Sequence, residues 1–328
     1  MQRILAADIG GTNSRFAVFE AGPEGSLGKG RSIWLSTQDA KSLADLIDRL
    51  NQEGFDRPLE EVDMAVFAVA GPVVDGVYSN PPNIAWDIDL SAPGGTSALK
   101  RCELINDFAA QAYACRSPVI EEARRVISGE TDPEAPLIVV GAGTGLGHAA
   151  LINDRCGRWL ALASEGGHAG FAFETEAEND YKAFVLQQTG LPYVEAETVL
   201  SGRGLVLIHY YLTGQKLRPS QISEQIGDDD PTVQWMARFF GRVCRNFALQ
   251  LLAYGGVYIA GGIAAKLPQL VTHPEFEAAF RRSATMADEL KKIPVFLNAN
   301  EESGLWGAAF FGRQQLDGAR TGVSPGTA

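Results

Sequence analysis

Asn106-Asp107 closes an apolar run and is followed by the small residues Ala109, Ala110 and Ala112. An aspartate, with an ordinary pKa of ~3.9, is ionised at neutral pH. It can therefore orient a hydroxyl and accept its proton as a phosphoryl group arrives. An Asx cap for a following helix uses the same two residue types, and both roles hold if Asn106 and Asp107 divide them. Asp8-Ile9-Gly10-Gly11-Thr12-Asn13 places a carboxylate at the end of one apolar run and then a turn whose glycines leave backbone N–H groups open to an anion. An ordinary tight hairpin also uses Gly-Gly. Gly143-Thr144-Gly145 and Gly261-Gly262 repeat the arrangement after two further apolar runs, and three such turns suit one nucleotide held from several sides. Glu165-Gly166-Gly167-His168 and Glu197, which stands ahead of Ser201-Gly202-Arg203-Gly204, supply carboxylates and an imidazole. Such groups hydrogen-bond the vicinal hydroxyls of a sugar, or they satisfy one another in a polar loop. They make a poor metal site, because no cysteine or second histidine has ligand spacing. His148, His209 and His273 have no neighbour in sequence that gives them a chemical role.

These residues need elements to position them. Residues 4–8 predict a buried strand and residues 15–19 a returning one, which makes a glycine-tipped hairpin, with 22–30 as a glycine-rich connection. Leu43, Leu46, Ile47 and Leu50 share one face at helical spacing and predict a helix over 39–52. Apolar residues 64–70 and 102–105 predict two further strands, ended by Gly71-Pro72 and by Asn106-Asp107. The second half begins again in the same way: 137–140 apolar, a Gly141-Ala142-Gly143-Thr144-Gly145 turn, and 148–152 returning. Thr12 and Thr144 thus hold equivalent places in a weak internal duplication. Capping Asp230 and Pro231 open a helix with an apolar stripe from Met236 to Leu251, and Val257–Ala260 is a strand that ends at Gly261-Gly262. Residues 305–311 predict a last helix with Gly307, Ala308 and Ala309 on one side for close packing. Alternating strands and helices predict an α/β protein. The expected domains are 1–110 plus 304–318, and 111–303, with 319–328 as a loose tail.

A chain of 328 residues suits two domains, and 45% hydrophobic with 21% charged residues excludes a disordered or fibrous chain. With 28 Lys and Arg against 40 Asp and Glu, the net charge of −12 repels polyanions, so no nucleic-acid partner is expected. No run is long enough to span a membrane, and residues 4–7 are too short for a signal peptide. Cys102, Cys115, Cys156 and Cys244 lack paired spacing and read as reduced thiols in a cytoplasmic protein. A P-loop fails because Gly28-Lys29 is followed by Gly30 and the position five before Gly28 is Pro23. The dinucleotide fingerprint fails at Leu146 and at the strand-like 148–152 that follows.

Taken in order, Asp8-Ile9-Gly10-Gly11-Thr12-Asn13, Ile105-Asn106-Asp107-Phe108, Gly143-Thr144-Gly145-Leu146-Gly147, Glu165-Gly166-Gly167-His168 and Gly261-Gly262-Ile263 resemble the bacterial glucokinase family. The match is to its ATP-dependent group, within the actin-like and sugar-kinase superfamily, and it runs from about Ile4 to Arg313. The resemblance implies two actin-like (ribonuclease H-like) α/β domains with a sugar cleft between them, a hinge closure, and a cytoplasmic homodimer. It also implies transfer of the ATP γ-phosphate to the 6-hydroxyl of glucose, feeding glycolysis. On the same resemblance Asp107 is the catalytic base, and Asn83, Asn106, Glu165, His168 and Glu197 contact the sugar. Asp8 holds Mg²⁺ through water, while Ala7, Asp8, Ile9, Gly10, Gly11, Thr12, Gly143, Thr144, Gly261 and Gly262 form the nucleotide turns. No zinc is expected, because no cysteine cluster follows His168 as it does in the related repressor and sugar-kinase family. The alternatives are a kinase for mannose or glucosamine and a non-catalytic sugar-sensing protein; the filled chemical positions favour the enzyme. Two departures stand out: His148 follows Gly147 where the family has a small apolar residue, and Phe171-Ala172-Phe173 has Phe where a proline is usual.

Overall fold

The computed structural model describes residues 1–55, 58–92, 99–154 and 156–321 and divides the chain into two units. One comprises Met1–Glu122, Asp154–Ala163 and Asn300–Ala328, the other Ala123–Asn153 and Ser164–Ala299. These bounds differ from those expected at 110 and 304 because the Asp107–Ala114 helix packs along the last helix, Ser303–Thr321. Gly307 lets the two backbones meet, since a Cβ there would collide with the Ala110 carbonyl. Residues 154–163 join the same unit through Trp159 N–H to Gln314 Oε1 (2.8 Å) and Ala161 N–H to the Tyr113 hydroxyl (3.2 Å). The last helix continues past 318, where composition alone predicts a loose tail, and residues 322–328 lie outside the described residues.

The first unit is built on a five-stranded sheet. Its central strand, Gln2–Ile9, runs antiparallel to Asn13–Ala21 and parallel to Met64–Val69, which in turn is parallel to Cys102–Asn106. Burial on both faces explains why Ile4 to Ala7 and the whole of Met64–Val69 are apolar without alternation. Leu5, Ala7 and Ile9 face a core completed by Leu43, Leu46, Ile47 and Leu50 of the Leu43–Glu53 helix. Ile4 and Val66 face the other way, against Gly312 of the last helix. Ser42 caps the Leu43–Glu53 helix by accepting from Asp45 N–H, and Gly54 ends it at φ +68°. One expectation is corrected here. Within 22–30, read as a connection, a third antiparallel strand begins, Leu27–Ser36. Its glycines hide the pattern while the backbone still pairs with Asn13–Ala21.

The second unit repeats the plan. Leu137–Ala142 is antiparallel to Leu146–Asn153 across a glycine–threonine tip and parallel to Val257–Ala260, with Val295–Leu297 and Arg124–Ile127 beyond. The Pro231–Leu251 helix, capped by Asp230, buries Met236, Phe239, Phe240, Val243, Cys244, Phe247 and Ala248. Each large apolar side chain removed from water here contributes about 1.5–3 kcal/mol before entropy is set against it. Phe171 and Phe173 enter the same core, stacking edge to face on each other and on Phe239, which accounts for aromatic residues at these two positions.

Candidate functional site

In the first unit, parallel strands end where the chain must turn, and the candidate residues stand at those ends. Asn106 closes the Cys102–Asn106 strand and caps the Asp107–Ala114 helix, its Oδ1 accepting from Phe108 N–H (2.9 Å) and Ala109 N–H (3.0 Å). Its Nδ2 donates to the Gly71 carbonyl (3.0 Å) and to Asp107 Oδ1 (3.1 Å). Asp107, half-buried, also accepts from Phe108 N–H at 2.9 Å. Asn106 is thus both the helix cap and a clamp on the Asp107 carboxylate.

The hairpin tip, residues 10–13, follows Ile9, which pairs with Ser14. Gly10 N–H donates to the Asn13 carbonyl (3.1 Å), the Thr12 carbonyl accepts from Thr37 N–H (2.9 Å), and the Thr12 side chain is exposed. Gly11 lies so close to exposed Asn83 that a Cβ would come within 2.6 Å of the Asn83 Cβ. The glycine is thus required by that approach, which joins the tip to the one candidate residue drawn from the loop after Gly71. Ala7 is buried and Asp8 stands at the open end of the same strand. Desolvation raises the Asp8 pKa, against the pull of Arg15, whose Nη1 lies 3.4 Å from Oδ2. Arg15 is itself fixed by the Glu301 carbonyl (2.9 Å) and by stacking 4.2 Å over the Trp34 ring.

In the second unit, the tip formed by Gly143, Thr144 and Gly145 is closed by Gly143 N–H to the Gly145 carbonyl (2.8 Å). It is tied to the capped start of the Gly202–Thr213 helix by Gly202 N–H to the Gly143 carbonyl (2.9 Å). Gly261, at φ +89°, lies where a Cβ would come within 2.6 Å of the Ala142 carbonyl, so it brings the Gly262–Lys266 helix start beside this tip. Among the described residues, nothing beyond the adjoining backbone lies within 4 Å of where a Cβ on Gly143 or Gly262 would stand.

Glu165 and His168 flank a tight turn. Its two glycines are needed because a Cβ on Gly166 would meet His148 Nδ1 at 2.7 Å and one on Gly167 would strike the Leu146 carbonyl. Both flanking side chains are more than half exposed. Glu197 Oε2 accepts Leu146 N–H (2.9 Å) and lies where a Cβ on Gly145 would stand, so this carboxylate also braces the glycine tip. The residue that meets the imidazole is Glu195, with Oε2 at 3.2 Å from His168 Nδ1, while His168 Nε2 lies 3.8 Å from Glu165 Oε2. The hydrogen bond to Glu195 is the main reason the His168 pKa is raised. Partial desolvation opposes it, and the fields of Glu197, Glu195 and Glu165 add to it. Sequence reasoning missed Glu195. The available signal was its spacing of two from Glu197, which alone does not show which carboxylate meets the imidazole. His148, the departure noted above, is buried and stacked on Phe247 at 4.8 Å, and burial lowers its pKa to about 4. Among the described residues no group of three His, Cys, Asp or Glu gathers to hold a metal, and no helix is long and apolar enough to cross a membrane.

Comparison with known proteins gives consistent results. A model of the family described as Glucokinase matches residues 5–315. A glucokinase of Nostoc sp. is 31% identical over 341 residues, covering 94% of this chain and 98% of that protein. A glucokinase of Yersinia pestis is 34% identical over 326 residues, covering 95% and 97%. Among solved structures, a glucokinase from an Antarctic psychrotroph superposes with a TM-score of 0.83 at 27% identity, covering 96% of this chain and 99% of that one. A ROK family glucokinase from Streptomyces griseus, solved with glucose and AMPPNP, shares the fold at a TM-score of 0.64 and 21% identity, covering 95% and 99%.

Proposed function

This chain belongs to the glucokinase family, and on that footing we propose how its residues carry out ATP-dependent phosphorylation of glucose. The observation that supports the assignment most directly is the clamp on Asp107. A carboxylate held by the Asn106 amide and the Phe108 N–H has one orientation, which is what a base needs to align a hydroxyl. Asp107 accepts the proton of the glucose 6-hydroxyl while that oxygen bonds to the γ-phosphorus. The bond from the γ-phosphorus to the bridging oxygen of ADP breaks in line, and ADP leaves.

Binding falls to the other groups. Gly10, Gly11 and Thr12, with Gly143, Thr144, Gly261 and Gly262, offer backbone N–H groups and hydroxyls to the nucleotide. This is how a chain of net charge −12 holds a polyanion. Glu165, His168, Glu197, Asn83 and Asn106 hydrogen-bond sugar hydroxyls. Asp8 would hold Mg²⁺, which prefers one or two carboxylates with water and substrate phosphates to a full protein cage. When bound, the ion neutralises charge on the phosphate oxygens. Assembly as a cytoplasmic homodimer belongs to the same proposal.

The test is Asp107→Ala, assayed by ADP release with glucose and by glucose binding. Turnover should fall by at least about 10³-fold, within the range that loss of a positioned base and its orientation produces, with glucose binding still measurable. Turnover within tenfold of wild type refutes the base assignment.

A further inference from the structure

Residues 168 and 195 meet because the backbone brings them together. Phe171 N–H donates to the Val194 carbonyl (2.8 Å) and Ala196 N–H to the Ala169 carbonyl (2.9 Å), with Gly170 paired antiparallel to Glu195. This short ladder sets the Glu195 carboxylate across from the imidazole, and the Tyr193 hydroxyl donates to the His168 carbonyl (3.2 Å) from the same segment. His168 is exposed, at 53% of side-chain surface, and Glu195 is half-buried, at 25%. Pairs so placed contribute little to stability, so a structural role leaves this geometry unexplained.

We propose that Glu195 is a positioning residue for sugar recognition: by accepting from Nδ1–H it fixes the orientation of the His168 ring and leaves Nε2, beside Glu165, to meet a hydroxyl of the hexose. The inference rests on the reading of Glu165 and His168 as sugar contacts. The logic is that of an imidazole whose far nitrogen is defined by the hydrogen bond its near nitrogen makes. The groups that face the ring are few. Glu165 lies on its own turn, Glu195 and Tyr193 on the paired segment, Glu197 on the Ala196–Val199 helix, and His148 behind Gly166 on the Leu146–Asn153 strand. Of these, only Glu195 hydrogen-bonds the ring within 3.5 Å, so its loss removes the ring's anchor while the other charges stay.

The experiment compares Glu195→Gln and Glu195→Ala with wild type in glucose kinetics across pH and in ¹⁵N NMR of the histidine side chains. Glu195→Ala should raise the KM for glucose about five- to tenfold and Glu195→Gln about two- to threefold, with kcat within twofold, as expected for a charge-assisted hydrogen bond weakened by exposure. The His168 titration midpoint should move down in both variants, and its Nδ1–H tautomer should lose dominance in Glu195→Ala. An unchanged KM, with or without a shifted midpoint, overturns the positioning role, as does an unchanged midpoint. His168→Gln and Glu165→Gln separate the two levels. If neither raises the KM for glucose, the sugar reading itself fails; if both do and Glu195→Ala does not, only the inference about Glu195 fails.

Discussion

Asn106→Ser separates the two tasks that the Asn106 side chain performs. Its Oδ1 caps the Asp107–Ala114 helix through Phe108 and Ala109, while its Nδ2 holds the Gly71 carbonyl and Asp107 Oδ1. Serine is as good an N-cap as asparagine, so the cap survives, whereas Asn106→Ala loses it at about 1 kcal/mol. Both variants lose the bond to Gly71, worth about 0.5–1.5 kcal/mol. Asn106→Ala is therefore expected to be about 1 kcal/mol less stable than Asn106→Ser, the cap being the one bond that only the alanine loses, read from urea midpoints at constant m-value. Activity should not follow stability. Both variants remove the Asn106 amide from the Asp107 carboxylate and leave it the Phe108 N–H; a hydrogen bond to a charged group contributes about 1.5–3 kcal/mol, so kcat should fall about 10- to 100-fold in each, by coupled ADP release. If kcat tracks the stability difference, or if Asn106→Ser turns over as wild type does, the amide does not orient the base and the division of tasks is wrong.

The sequence carried much of this fold, for reasons that can be localised. Gln2–Ile9, Met64–Val69 and Leu137–Ala142 are legible because strands buried on both faces read as unbroken apolar runs. The Pro231–Leu251 helix is legible because Asp230, Pro231 and the stripe of Phe239, Phe240, Val243 and Phe247 agree at every level. Leu27–Ser36 was hidden, because Gly28, Gly30 and exposed polar side chains carry no alternation and the strand is defined by its neighbour. At the site, residues that serve one another through the backbone were legible: Asp107 after a strand-end Asn106, and glycines at tight turns. What was not legible depended on long-range pairing. Glu195 and Glu197 differ by two positions, yet one holds His168 and the other braces Leu146. That choice is made by the ladder from Gly170 to Glu195, which no local pattern announces.

Two further predictions concern side chains buried outside the chemistry. Glu178 and Arg242 form a fully buried, two-point ion pair at 2.7 and 2.9 Å, and Arg242 also donates to the Ala172 carbonyl in the segment after His168. Glu178→Gln leaves the guanidinium with Glu174 at 3.2 Å as its remaining carboxylate, so urea unfolding should show a loss of about 3 kcal/mol; a loss below 1 kcal/mol refutes the coupling. The second prediction follows from His148. Burial lowers its pKa from 6.5 to about 4, so between those values the unfolded chain binds a proton that the folded one refuses. Stability therefore falls as pH drops through about 6.5 and keeps falling until about 4, where the folded form also protonates. The two pKa values give a loss of about 2 kcal/mol on going from pH 7 to pH 5. His148→Leu has no such proton to bind. When urea unfolding is compared for each protein against its own value at pH 7, the decline to pH 5 should be shallower in the variant by about that amount. Parallel curves would mean that the folded protein accommodates a charged imidazole between Gly166 and Phe247, and that the neutral, stacked ring is not what the packing there requires.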